Sequence, residues 1–314
     1  MIEITVITCT HNPRPHYLEL TVKGLASQSL QPTLWEYLLI DNASAPASAP
    51  NADLSWHPNA RLLQEGLLGL TPARLRGIRE ARGELLVFVD DDNVLDPDFL
   101  ETALKMAKTL PFLGSWSGQC RACFESPPPE WTRPYWGNLV IREFNADRWS
   151  NLPRLPDTMP CGAGLCVRRH VALHYAALHQ SGQRQFQFDR TGDSLLSGGD
   201  NDLAGCACDL GMGVGLVSSL KLTHLIPPER LTLEYLAKLS EGISFSSALL
   251  DSTRGIETSP RGIAGKIADC LRVFLLPPPC RTIARAACRG RERAVQMLGV
   301  GQHHQLPNNN SACR

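Results

Sequence analysis

Three consecutive aspartates, Asp90-Asp91-Asp92, end an apolar run, and such a string repels itself unless something cationic lies against it. Carboxylates are hard ligands that suit Mg2+ or Mn2+, ions bound through one or two carboxylates plus substrate phosphates. An ion at Asp91 and Asp92 could neutralise a diphosphate as its bond to a sugar breaks. The competing role is helix capping, since Asp96-Pro97-Asp98 follows and anions favour that end, but three aspartates exceed what a cap needs. Gly198-Gly199-Asp200-Asn201-Asp202 offers a second carboxylate group, able to cap a helix. Arg74 or Arg76 could pair with phosphate or face solvent. Lone histidines such as His224 are often structural.

These side chains need a frame. Ile2 to Thr8 is rich in β-branched residues and reads as a strand broken at His11-Asn12-Pro13-Arg14-Pro15; Leu18, Val22 and Leu25 then recur at helical spacing. Leu38-Leu39-Ile40 is a second strand ending on Asp41, and Arg61-Leu62-Leu63 a third. Leu75 and Ile78 mark a helix entered through Thr71-Pro72 as cap and first-turn proline. Leu85 to Val89 suits a central strand buried on both faces. Parallel βαβ units follow, whose ligands bind outside the carboxyl ends of strands, where Asp41 and Asp90 to Asp92 fall. No Gly-x-Gly-x-x-Gly or Walker loop occurs, against a dehydrogenase or P-loop enzyme. Ser117 to Pro160 shows little periodicity. Strand is expected at 162–168 and from Met212 to Val217, and helix at 170–180, from the Asp200-Asn201-Asp202 cap to Leu210, and at 231–250. Beyond Gly262 the pattern is basic amphipathic helix broken at Pro277-Pro278-Pro279, with a disordered last dozen.

The 314 residues suffice for one large α/β domain with an appendage. Lys plus Arg equals Asp plus Glu at 31 each, which removes the electrostatic case for nucleic-acid binding. Basic residues dominate after Arg254, a bias suited to anionic lipid or an acidic partner. The eleven cysteines are scattered. Cys120-x-x-Cys123 and Cys206-x-Cys208 lack zinc-knuckle spacing and read as free thiols. Met1-Ile2-Glu3-Ile4 opens on a strand pattern rather than a basic leader, so a reduced, cytoplasmic setting is expected. No apolar run reaches the roughly 18 residues of a membrane span.

Ile4 to Arg14, Leu39 to Ser44 and Gly83 to Asn93 together resemble the signature segments of family 2 glycosyltransferases. The order continues with Gly162-Ala163-Gly164, Gly198 to Leu203 and His224. The resemblance implies a GT-A fold: an α/β, Rossmann-like mixed and mainly parallel sheet flanked by helices, with a helical C-terminal extension. It divides the chain into a domain over 1–250, with a nucleotide-sugar half (1–115) and an acceptor half (116–250), and a basic extension over 251–314. The implied activity is inverting transfer from a nucleotide-sugar, typically a UDP-sugar, to a saccharide or lipid-linked acceptor, as in bacterial-type polysaccharide or glycolipid biosynthesis. Mn2+ or Mg2+ is the implied cofactor. Thr8, Thr10, Asn12 and Arg14 would meet the nucleotide, Asp41 the base, and Arg74 the phosphates. Asp90 and Asp91 would line the donor site, with Asp92 the direct metal ligand and His224 its helper. Gly162 and Gly164 would let backbone approach a ligand closely. Asp200 matches the general base, with Asp202 the alternative, because Gly199 stands where the family commonly has Glu. That departure also fits a non-catalytic sugar-nucleotide or glycan-binding module. A nucleotidyltransferase is disfavoured, because its Gly-rich, basic first loop is missing. The C-terminal helix either touches a membrane surface or packs on the catalytic domain.

Overall fold

Strand β1 (Ile4–Thr10) alternates between two cores, Ile4 and Val6 facing one and Ile7 the other. β2 (Trp35–Asn42) does the same, with Tyr37 and Leu39 opposite Leu38 and Ile40. So does β4 (Leu85–Phe88), with Leu85 and Val87 opposite Leu86 and Phe88. Continuous apolar runs therefore become strands because helices cover both sheet faces. Each fully buried Leu or Ile contributes about 1.5–3 kcal/mol. The computed structural model describes residues 1–50, 52–184, 186, 188–190, 195–258 and 262–303.

β3 (Ala60–Glu65), β2, β1 and β4 are parallel neighbours. β8 (Leu165–Arg168) then pairs antiparallel with β4 and with β6 (Leu113–Phe124). β9 (Gly213–Ile226) runs parallel to β6 and carries the short antiparallel strands β5 (Asn93–Leu95) and β7 (Arg148–Ser150). Among the described residues this is one nine-stranded sheet. Helices α1 (Pro15–Ala26) and α3 (Phe99–Thr109) cover one face; α2 (Leu70–Glu80), α4 (Arg169–Gln180) and α5 (Gly199–Asp209) cover the other. α6 (Leu233–Thr253), α7 (Ile263–Phe274) and α8 (Pro278–His303) complete the chain.

Several expectations need correction. The segment from Ser117, read as aperiodic, begins inside the twelve-residue β6. Its polar residues hid it, and hydrogen bonds satisfy them: Ser115 Oγ donates to the Ala204 carbonyl at 2.9 Å, and Ser117 Oγ accepts from Arg142 at 2.8 Å. Gly118 lets β6 and β9 touch, since a Cβ there would lie 2.2 Å from the Leu220 carbonyl oxygen. The strand expected to stop at Val217 runs on to Ile226. Thr71 is not the cap of α2: Gly69 holds that position, and the Thr71 hydroxyl donates to Asp189 Oδ2 at 2.8 Å. Nor do the Asp200-Asn201-Asp202 side chains cap α5, whose cap position is Gly198.

The ten described cysteines are free thiols. Cys120 is buried and Cys123 exposed, as strand alternation requires of residues three apart, so the two cannot face one ion. The C-terminal helices divide. α8 packs on α6 through Ile283 and Ala294, whereas α7 leaves Ile263, Ile267, Leu271 and Phe274 on the surface. The packed arrangement therefore holds for α8 and fails for α7. The last dozen residues, expected to be disordered, lie from residue 304 on outside the described residues.

Candidate active site

Parallel pairing aligns Thr10 with Asp41 at the carboxyl ends of β1 and β2. Asp41 Oδ1 accepts the Ser44 N–H at 3.3 Å, and no described residue engages its Oδ2. Asn12, with a left-handed φ of 48°, ties the two loops together: its N–H donates to Ser44 Oγ and its Oδ1 accepts from Ala45 N, each at 2.9 Å. Arg14 is exposed beside them and pairs with Glu229 at 3.1 Å. Thr8 corrects the expectation, because it is wholly buried inside the sheet and presents no surface to a nucleotide. Thr10 acts one step back, its hydroxyl donating to Asp91.

The aspartate string leaves β4 and turns into β5, which pairs Asn93 with His224 on β9. That pairing brings His224 Nε2 within 3.4 Å of Asp92 Oδ2. His224 Nδ1 lies 3.0 Å from the Leu139 carbonyl, so it carries the ring proton and Nε2 presents its lone pair. Arg230, in the 3-10 turn Pro228–Leu231, reaches both groups: 2.8 Å to Asp92 Oδ2 and 2.9 Å to His224 Nε2. Burial would raise the Asp92 pKa, but the Arg230 guanidinium on its Oδ2 works to hold it below the ordinary carboxylate range. Its neighbours move the other way. Burial and the Asp92 charge push Asp91 up to about 7 and raise Asp90 as well.

The donor set fits a divalent ion as a partial site. Two ligand atoms 3.4 Å apart can bind one ion side by side, with water and phosphate completing the shell. Among the described residues no group of three His, Cys, Asp or Glu side chains could hold a metal. The expected pair, Asp92 and His224, is therefore brought together, and substrate oxygens would have to supply the rest.

Asp200 stands at the start of α5, partly exposed, with Oδ2 accepting the Gly162 N–H at 2.6 Å and Oδ1 the Asn201 N–H at 2.9 Å. Gly162 sits tight against both side chains: a Cβ there would lie 3.3 Å from Asp200 Oδ2 and from Arg74 Nη2, so any side chain would have to displace them by a few tenths of an ångström. Gly164 has another task and corrects the reading of close ligand approach. It is buried with φ +65°, and its missing Cβ makes room for Leu222 and Phe99 at 2.7 and 2.9 Å.

Arg74 is neither a solvated residue nor a free phosphate clamp. It is 4% exposed and its Nη1 donates to both Asp189 oxygens at 3.0 Å. Burial works against its charge, but Asp189, Asp200 and Asp90 together raise its pKa. Asp189 also explains Gly199. A Cβ at 199 would meet the Asp189 carboxylate at 2.2–2.4 Å, so the space belongs to Asp189. Asp202 is fully buried between Arg184 (2.8 Å) and Arg254 (3.0 Å) and faces no cleft. Asp189 and Arg230 were missed in the sequence. Nothing periodic surrounds Asp189, whereas Arg230 lies in Pro227-Pro228-Glu229-Arg230, a rigid turn just past His224 that could have drawn attention.

A parallel half that gathers acidic residues at its strand ends, continuous with a mixed half in which β6 and β9 run parallel and β8, β5 and β7 antiparallel, defines a GT-A type fold. The chain belongs to glycosyl transferase family 2, whose sequence profile it matches over residues 5–166. It is 27% identical over 114 residues to the uncharacterized glycosyltransferase YwdF of Bacillus subtilis, a match spanning 36% of this chain and 41% of that protein. It is 26% identical over 106 residues to the putative glycosyltransferase EpsH of Bacillus subtilis, spanning 33% and 30%. The chain thus matches well under half the length of these curated relatives. A solved structure, the mannosyltransferase PcManGT from Pyrobaculum calidifontis in complex with GDP-Man and Mn2+, shares the fold. It superposes with a TM-score of 0.56 at 18% identity, covering 98% of this chain and 81% of that one.

Proposed function

We propose that this protein is an inverting glycosyltransferase that moves a sugar from a nucleotide-sugar, of UDP type, to an acceptor hydroxyl. One observation carries the reading: Arg74 Nη2 and Asp200 Oδ2 flank the same space at Gly162, each 3.3 Å from where its Cβ would lie, and the charges of Asp200 and Asp90 both raise the Arg74 pKa, so a candidate base and the acidic strand end act on one arginine. Asp41, with Oδ2 unclaimed by any described residue, suits an N–H of the base. Asp92 and His224 would hold Mn2+ or Mg2+, and the ion would offset charge on the departing diphosphate. Asp200 would take the proton of the acceptor hydroxyl as its oxygen bonds to the anomeric carbon. The carbon–oxygen bond to the diphosphate breaks, and the nucleotide leaves with the electron pair. Both Asp200 oxygens already accept one backbone N–H, which fixes the carboxylate and leaves further lone pairs for that proton.

Gly199 no longer argues for a non-catalytic module, because the Asp189 carboxylate accounts for it. The division into a donor half (1–115), an acceptor half (116–250) and an extension (251–314) belongs to the same proposal. So do a cytoplasmic setting, polysaccharide or glycolipid biosynthesis with a saccharide or lipid-linked acceptor, and peripheral membrane contact through α7. No nucleic-acid partner is proposed, given the balanced charge. The test is release of nucleoside diphosphate from a panel of nucleotide-sugars. Asp200→Asn is expected to lower turnover about 10²–10⁴-fold with nucleotide affinity kept. Unchanged turnover in that variant would remove Asp200 from the chemistry.

A further inference from the structure

Arg230 occupies the atoms a metal would use. Its Nη2 lies 2.8 Å from Asp92 Oδ2 and its Nη1 2.9 Å from His224 Nε2, while those two acceptors are 3.4 Å apart. The imidazole makes the conflict strict. Nδ1 is committed to the Leu139 carbonyl, so Nε2 has one lone pair, which accepts from Arg230 or binds an ion but not both. The carboxylate is subject to the same competition in milder form, since a guanidinium already neutralises it in a nearly dry setting.

The turn that bears Arg230 is anchored from the other side as well. Pro227 and Pro228 fix its backbone, and Glu229 pairs with Arg14 at 3.1 Å across the β1–α1 loop. The prolines restrain the backbone, whereas the Arg230 side chain can pivot about its own bonds. A diphosphate arriving with its ion brings the anionic oxygens that a displaced guanidinium needs.

We propose that Arg230 is a donor-site residue that holds Asp92 and His224 in the nucleotide-free protein and yields them when a divalent ion arrives with a diphosphate. Ion and nucleotide then bind as one unit, and the ion alone binds weakly. The inference rests on the metal reading given above and adds an order of assembly to it.

The test is Mn2+ binding to the full chain, followed by the electron paramagnetic resonance of the free ion, without nucleotide and with UDP or GDP. Arg230→Gln is expected to bind Mn2+ alone at least tenfold tighter than the wild type, and to gain less affinity from nucleotide. Arg230→Lys keeps the charge but cannot bridge two acceptors, so an intermediate Mn2+ affinity is expected even if the glutamine variant folds poorly. Mn2+ affinities without nucleotide that are equal to or weaker than wild type in both variants would overturn the proposal while leaving the metal reading intact. Mn2+ binding to none of the three proteins, even with nucleotide, would overturn both.

Discussion

Two aspartates in one helical turn, Asp200 and Asp202, have opposite surroundings, and the difference predicts opposite mutant phenotypes. Asp202 is enclosed by Arg184 and Arg254, whose side chains are 8% and 4% exposed. Removing its charge leaves the two buried guanidiniums sharing Asp209, 2.7 Å from Arg254 and 3.7 Å from Arg184, a loss of up to about 3–5 kcal/mol. Asp202→Asn should therefore unfold at markedly lower urea than the wild type. Asp200→Asn should unfold at nearly the wild-type concentration, because the amide oxygen can still accept from Gly162 and the site is open to solvent. Equal urea midpoints for the two variants would contradict this separation. The sequence leaves the two aspartates open as candidates because they occupy the same acidic string; only the arginines that fold back from distant positions tell them apart.

At the scale of elements, α8 depends on one close approach to α6. A Cβ on Gly290 would lie 2.1 Å from the Glu241 carbonyl, while Arg289 and Arg293 hold the Glu241 carboxylate at 3.0 and 2.9 Å. Gly290→Val should cost about 1–3 kcal/mol through overpacking, measurable by urea unfolding. A stability change within about 0.5 kcal/mol, the range of an ordinary surface substitution, would show that the helices part without cost. Elements of this chain were legible where composition and burial agree. β1, β2 and β4 are apolar and buried on both faces, so their runs announce them. β6 is just as central but carries Ser115, Ser117 and Gly118, which hydrogen bonds and backbone contact accommodate and periodicity does not reveal. The acidic strand ends were legible for the same reason as β4. The Arg74–Asp189 pair was not, because it joins residues far apart in the chain whose partnership has no local pattern.

At the scale of the whole molecule, α7 carries an apolar face that lies on the surface of the described residues. Ile263, Ile267, Leu271 and Phe274 are 80, 55, 61 and 66% exposed at helical spacing, next to a basic α8. No helix among the described residues is long and apolar enough to cross a membrane. Such a face can lie in an interface, where nearby basic residues each add about 1 kcal/mol against anionic lipid. Leu271→Glu with Phe274→Glu should reduce sedimentation with anionic vesicles severalfold and leave the unfolding midpoint unchanged; undiminished sedimentation would end the membrane reading. The central claim concerns the donor site, and calorimetric titration of UDP and GDP tests it most directly. The account predicts nucleotide binding in the presence of Mn2+, lost in excess chelator and lost in Asp92→Ala. Binding that is equally tight with chelator and in Asp92→Ala would contradict it.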